Sequence, residues 1–144
     1  MKTFFLKVVL VLGIVATLQN GVIAQTPGWV SDLANTLGLD VQTVTEYSVV
    51  QNDVWVVGPE TLYSISLRVK GVLTNGNSFI GKMPVRLSNG VYVLDQSFAV
   101  TKETCESQCG CNGCKFVTNG CECTGSTGQP GCDAWCKHTI TKDQ

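Results

Sequence analysis

Eight cysteines fall between Cys105 and Cys136, and none precedes them. Their spacing is Cys105-x3-Cys109-x-Cys111-x2-Cys114-x6-Cys121-x-Cys123-x8-Cys132-x3-Cys136. Three chemistries use thiols in such a pattern. Paired off, they form four disulfides, the staples of a segment too poor in apolar residues to fold on a core alone. Within this set Cys109 and Cys111, and likewise Cys121 and Cys123, do not bond each other, because same-face neighbours on a strand are held apart. As thiolates, Cys111, Cys114, Cys121 and Cys123 make a compact four-sulfur set suited to tetrahedral zinc or to copper(I). As a reactive pair, Cys111-Asn112-Gly113-Cys114 is a CxxC that could exchange disulfides.

The compartment decides between these chemistries, and the start of the chain points to one. Lys2 supplies a positive end, Phe4 to Leu18 is apolar but for Lys7, Gly13 and Thr17, and Val22-Ile23-Ala24 offers a small-residue cleavage site. Residues 1–24 are therefore expected to be a signal peptide, and the mature chain to be secreted, to the exterior or to a periplasm. Thiols oxidise there, so all eight cysteines (Cys105, Cys109, Cys111, Cys114, Cys121, Cys123, Cys132 and Cys136) are expected in disulfides. The thiolate site, with zinc or copper as cofactor, and redox exchange at Cys111/Cys114 stand as alternatives; the main reading needs no cofactor. Loss of Lys2 and Lys7 takes the ten basic residues to eight against eleven acidic, so the formal charge moves from −1 to −3. That balance predicts no nucleic-acid partner. No second apolar run reaches the roughly 20 residues of a membrane span. The partner is expected to be extracellular or periplasmic, and the sequence does not name it.

Marked enzymatic patterns are absent: no Gly-x-Ser-x-Gly elbow, no phosphate loop and no His-Glu-x-x-His helix. The lone histidine, His138, reads as a surface residue. Asp95 reads as a mid-strand carboxylate facing solvent. Trp135 reads as the core of the cysteine-rich module, or else as an anchor beside a displayed loop, Gly125 to Gly131. The reading leans away from catalysis.

The elements that carry these residues follow from periodicity. Leu62–Thr74, Ser78–Leu87 and Val91–Thr101 alternate, with Ile65, Leu67, Val69, Phe79, Met83, Val85, Tyr92, Leu94 and Phe98 on one face. Lys70, Lys82 and Arg86 mark the other face as solvent. Asn89-Gly90 predicts a two-residue hairpin that pairs Leu87 with Tyr92 and Gly81 with Phe98. Asn75-Gly76-Asn77 is read as a three-residue loop pairing Leu73 with Phe79 and Lys70 with Lys82. Pro84 lacks a donor and sits in the middle strand, which predicts a bulge or weak pairing there. Val41–Val50 and Val54–Val57 read as two strands joined at Gln51-Asn52-Asp53. Trp29 to Leu37 has helical spacing, with Pro27 before it and Gly38 after it. Asn119-Gly120 predicts a second hairpin that puts Cys114, Phe116, Thr118, Cys121 and Cys123 on one face.

The expected fold is α+β, an antiparallel meander with one short N-terminal helix and a small disulfide-rich C-terminal module. The expected division is 1–24 leader, 25–104 β domain and 105–144 cysteine-rich module. Cys121-x-Cys123-x8-Cys132 is similar to the tail of an epidermal-growth-factor-like module, with Gln129 where that pattern has glycine. The resemblance stops at those residues and implies no function. The resulting expectation is a secreted, non-catalytic binding or structural protein.

Overall fold

The computed structural model describes residues 25–98 and 102–142. The expected leader lies outside the described residues, as does Val100. The elements are α1 (Gly28–Asn35), β1 (Val41–Val57), β2 (Glu60–Leu73), β3 (Ser78–Ser88), β4 (Val91–Leu94), β5 (Lys102–Gln108), β6 (Cys114–Val117), β7 (Gly120–Cys123) and β8 (Trp135–Thr141). The fold is mostly antiparallel sheet with one short helix, as expected. One sheet runs β1-β2-β3-β5-β8, with β4 also paired to β3, and β6-β7 form a separate hairpin. Residue 104, the expected domain limit, falls inside β5, and β5 and β8 extend the sheet begun by β1 to β3.

The apolar face forms as the alternation predicts. Leu67, Val69, Phe79, Met83 and Val85 are buried against Val30, Leu33, Ala34 and Leu37 of α1 and the turn after it. Trp29 closes one end of this core by packing on Tyr47 and Tyr92, at ring centroid distances of 5.9 and 5.6 Å.

Register departs from expectation in three places, each for a local reason. At the β2–β3 turn the paired residues are Gly71 with Phe79 and Leu67 with Met83, two residues from the expected pairing. Leu73 N–H donates to Asn77 O, so the three loop residues are Thr74, Asn75 and Gly76. A three-residue hairpin loop ends in a left-handed residue, and Gly76 (φ +85°) supplies it. An even shift keeps every side chain on its face. It also moves Lys82 from Lys70 to a place opposite Arg68.

Gln51–Asp53 is a bulge within one long strand, not a turn between two. Val50 pairs with Ser66 and Asp53 with Ser64, which leaves one extra residue on β1, and Asn52 takes φ +55°. Reversal comes instead at Gly58-Pro59.

The third departure is along β3. Asn89 (φ +50°) and Gly90 (φ +80°) form the expected turn, and Leu87 pairs with Tyr92 and Val85 with Leu94. The ladder then stops. Gly81 faces Thr104 rather than Phe98, and Lys82 faces Glu103 rather than Ser97, a jump of six residues. Two effects favour the jump. Asp95 ends β4 by accepting hydrogen bonds from Ser97 N (3.0 Å) and Ser97 Oγ (2.6 Å). The jump also gives Lys82 a carboxylate where the uninterrupted register would give it a hydroxyl. Pro84 sits at the changeover between β5 and β4 as partners of β3, where no donor is called for. Asp95 thus caps a turn and does not sit mid-strand. The Ser97 hydroxyl, then the Ser97 N–H, hold its carboxyl below the usual range.

Two glycines mark where the sheet is most tightly packed. A Cβ on Gly71 would overlap the backbone oxygen of Thr43 and the Phe79 ring, whereas one on Gly81 would meet Leu37 Cδ1 at 2.6 Å. Backbone cannot give way as a methyl can. Gly71→Ala is expected to cost about 3 kcal/mol and Gly81→Ala about 1 kcal/mol, measured by urea unfolding. Equal costs would contradict the difference in surroundings.

Candidate binding site

The face expected to meet solvent is covered around Lys82, while Lys70 and Arg86 on the same face stay exposed. The cysteine-rich segment folds back over it, held by four disulfides: Cys105–Cys121, Cys109–Cys132, Cys111–Cys123 and Cys114–Cys136. Cys105, on β5, is fully buried and ties the β6–β7 hairpin to the sheet. In that hairpin Cys114 pairs with Cys123 and Phe116 with Cys121, so the turn is Thr118-Asn119, one residue before the expected Asn119-Gly120, and the pairing shifts by two. Three of the four disulfides engage hairpin cysteines. At roughly 2–4 kcal/mol each they outweigh a turn preference.

The hairpin lays Phe116 over a charged row. Arg68, Lys82 and Glu103 are cross-strand neighbours on β2, β3 and β5. Lys82 Nζ lies 2.7 Å from Glu103 Oε2 and donates to Val54 O at 3.0 Å. It also sits over the rings of Trp55 (4.5 Å) and Phe116 (5.2 Å). The side chains of Lys82 and Glu103 are only 7% and 10% exposed, so this is a buried pair. Burial of a long cation is tolerable here because a carboxylate, a carbonyl and two π faces replace its water. Glu103 Oε1 faces His138 Nε2 of β8 at 2.8 Å. His138, read from the sequence as a surface residue, is therefore half-buried and engaged. Trp55 is held in place by donating Nε1–H to Ser64 Oγ (2.9 Å) and Ser66 Oγ (3.2 Å).

Beside this group the bulge at Asn52 brings Asp53 to Arg68. Arg68 Nε donates to Asp53 Oδ2 at 2.8 Å, and Nη2 donates to Oδ1. Burial alone would raise the Asp53 carboxyl. The hydrogen bond and charge of Arg68, the charge of Lys82 and the Val54 N–H together overcome that and hold it below its ordinary 3.8. The sign for stability follows. A depressed carboxyl stabilises the fold fully above its unfolded value, and the contribution fades as pH falls through the folded value. Stability is expected to decline on acidification below about pH 4, and Asp53→Asn to flatten that limb. An unchanged acid limb in Asp53→Asn, followed by denaturant midpoint against pH, would place the effect elsewhere.

A hollow of about 590 Å³ opens over the row, lined by Val54, Val56, Phe116, Val117 and Ile140 together with Arg68, Lys82, Glu103 and His138. A second, of about 540 Å³, lies across Phe116, with Lys70, Ile80 and Lys115 in its wall. Arg68 and Phe116 line both. Volumes of this order, with polar groups converging among apolar side chains, are attributes of ligand sites.

The sequence-predicted thiolate set is only partly assembled. Cys121 is bonded to Cys105, whereas the sulfurs of Cys111, Cys114 and Cys136 lie within 4.8 Å of one another. Cys111 and Cys114 do not bond each other; each is paired elsewhere. Trp135 is 51% exposed, so it is not the core of the module. The loop from Gly125 is braced rather than free: Asn112 N–H donates to Gly125 O and Thr127 N–H to Gly110 O.

Sequence reasoning placed Lys82 on one face with Lys70 and Arg86 but took that face as solvent, and it did not single out Arg68. One signal was available: Ile80 and Pro84 share the face with Lys82 and flank it, so the lysine interrupts an otherwise apolar row. Nothing nearby in sequence announces Glu103 or His138 as its partners. Compared with known proteins, the chain matches no protein family, no curated protein and no solved structure.

Proposed function

We propose that this chain is a secreted, disulfide-braced β module that binds rather than catalyses. The observation that carries the reading is the closure of all eight cysteines into four disulfides that hold a hairpin over a charged cleft. Such bracing suits an oxidising compartment and fixes a recognition surface before the ligand arrives, which lowers the ordering cost of binding. The groups best placed for acid–base chemistry are already committed. Glu103 uses one oxygen for Lys82 and the other for His138, and Lys82 is enclosed by its partners. They frame a site; they do not present a free base or nucleophile.

The test is the intact mass of the protein exported from the full-length gene, measured without reductant. A chain beginning at Gln25, eight hydrogens lighter than its reduced form, is expected. A retained leader, or free thiols, would overturn the reading.

Thiolate capture of zinc or copper(I) remains as the alternative, and one contact favours it. Cys111 Sγ and Cys136 Sγ are 3.6 Å apart although not bonded to each other. Opening Cys111–Cys123 and Cys114–Cys136 would leave three sulfurs already gathered. The same mass experiment under native conditions distinguishes the two, since a metal-sized increment belongs only to the alternative.

A further inference from the structure

The charges around the cleft indicate what it takes. Of the chain's ten Lys and Arg residues, four (Arg68, Lys70, Lys82 and Lys115) line the two hollows, whereas one of its eleven Asp and Glu residues, Glu103, does so. The hollows are thus richer in cations than the chain as a whole, although Lys70 and Lys115 line only the second of them and are held in exposed, weak ion pairs with Glu46 and Glu122. Glu103 cancels the charge of Lys82 within their buried pair and holds His138 with its other oxygen, so that pair offers a ligand no net charge. Asp53, which balances Arg68, is 3% exposed and is not among the lining residues.

Arg68 is the group most available. Its side chain is 43% exposed. Nε and Nη2 are spent on Asp53, and a guanidinium has five N–H donors, so the edge that carries Nη1 is left for another acceptor. His138 marks the far side of the hollow. With Nε2 on Glu103, its Nδ1 lies on the hairpin side, beside Gly120. Most of the remaining wall is aliphatic and aromatic (Val54, Val56, Phe116, Val117 and Ile140), and Gly58 with Thr118 and Asn119 of the hairpin turn completes it. A head group that satisfies Arg68 must carry acceptors and negative charge, and the body behind it must be apolar to replace water along that wall.

We infer that the hollow between Arg68, Phe116 and His138 binds a small organic anion, a carboxylate head on an apolar body. This rests on the binding reading above and names its ligand class. The carboxylate is oriented by the outer edge of Arg68, and the body packs between Phe116 and the β1–β8 side of the hollow. The Asp53–Arg68 pair and the buried Lys82–Glu103 pair act as a fixed frame, so the head group meets donors that are already oriented.

Amide-resolved NMR titration of the oxidised protein tests this with four probes: octanoate, octylammonium, octanol and acetate. Octanoate is expected to shift the amides of Val54, Phe116, Val117 and His138 saturably. Acetate, which lacks the body, and octylammonium, with the wrong charge, are each expected to bind at least tenfold more weakly. Changing Arg68 alone strands Asp53, so the charge test is the double variant Arg68→Gln with Asp53→Asn, expected to weaken octanoate at least tenfold. Val56→Trp, which fills the hollow, is expected to abolish binding. Preference for octylammonium, or equal binding of octanol, would overturn the ligand class while leaving a binding cleft. Shifts confined to other faces, or none with any probe, would overturn the cleft itself. The mass of the exported chain would still report separately on the disulfide-braced reading.

Discussion

Glu103→Leu is expected to cost about 3 kcal/mol of folding stability, more than most single substitutions in this chain. The loss comes less from the missing attraction than from what stays behind. Lys82 would remain enclosed by Trp55, Phe116 and the Val54 carbonyl, with its paired carboxylate gone and the nearby Asp53 charge already committed to Arg68. Its ring and carbonyl contacts persist, which keeps the cost near the lower end of the range for a broken buried pair. The informative control is the double variant Lys82→Met with Glu103→Leu. With both charges gone no ion is stranded, and stability is expected to return to within about 1 kcal/mol of the parent. Urea unfolding of the parent, the single and the double variant decides the matter. A single-variant cost below about 0.5 kcal/mol is what an exposed pair would give, and it would contradict the burial described.

Among the disulfides, Cys105–Cys121 is expected to matter most. Loop length does not rank the four: the sequence separations run from 12 to 23 residues, a spread worth only about 0.6 kcal/mol in closure entropy. Location ranks them. Cys105 is fully buried in the sheet, and its bond carries the hairpin that roofs the charged row, whereas Cys109 and Cys132 are half-buried at the far loop. Replacing Cys105 and Cys121 by alanine is expected to cost about 4 kcal/mol, and the same change at Cys109 and Cys132 about 2 kcal/mol. Equal losses in thermal or urea unfolding would mean that chain entropy alone sets the contribution. The paired variants leave the other six cysteines bonded, so mass spectrometry under non-reducing conditions checks that the comparison is clean.

What could be read from the sequence divides by range. The helix from Trp29, the face shared by Leu67, Val69, Met83 and Val85, and the Asn89-Gly90 turn are written in neighbouring residues, and all three were legible. The two-residue shifts at Gly76 and at Thr118-Asn119 came from turns with more than one workable placement. In one, the left-handed position chose; in the other, disulfides to distant strands chose. Even shifts conserve faces, which is why the apolar side survived an incorrect register. The jump from Leu94 to Lys102 could not be read, because its reason lies in Lys82 meeting Glu103 and in Asp95 capping Ser97. The cleft was hidden for the same cause. A lysine on an alternating strand signals solvent unless something folds over it, and what folds over it here is fixed by cysteine pairing, for which eight residues allow 105 connectivities.

The place of β8 has a consequence for the order of folding. It follows the other described strands in sequence, yet it completes the sheet against β5, and it brings both His138 to Glu103 and Cys136 to Cys114. Between β5 and β8 the chain must travel out through the hairpin and return. Pairings of this range form slowly, because the intervening loop is closed before any contact rewards it. During synthesis β1, β2 and β3 with their helix can assemble early, while Lys82 is still wet on an open sheet. The charged row is sealed only once β8 has been made, so the cleft takes shape after the helix-backed sheet on which it lies.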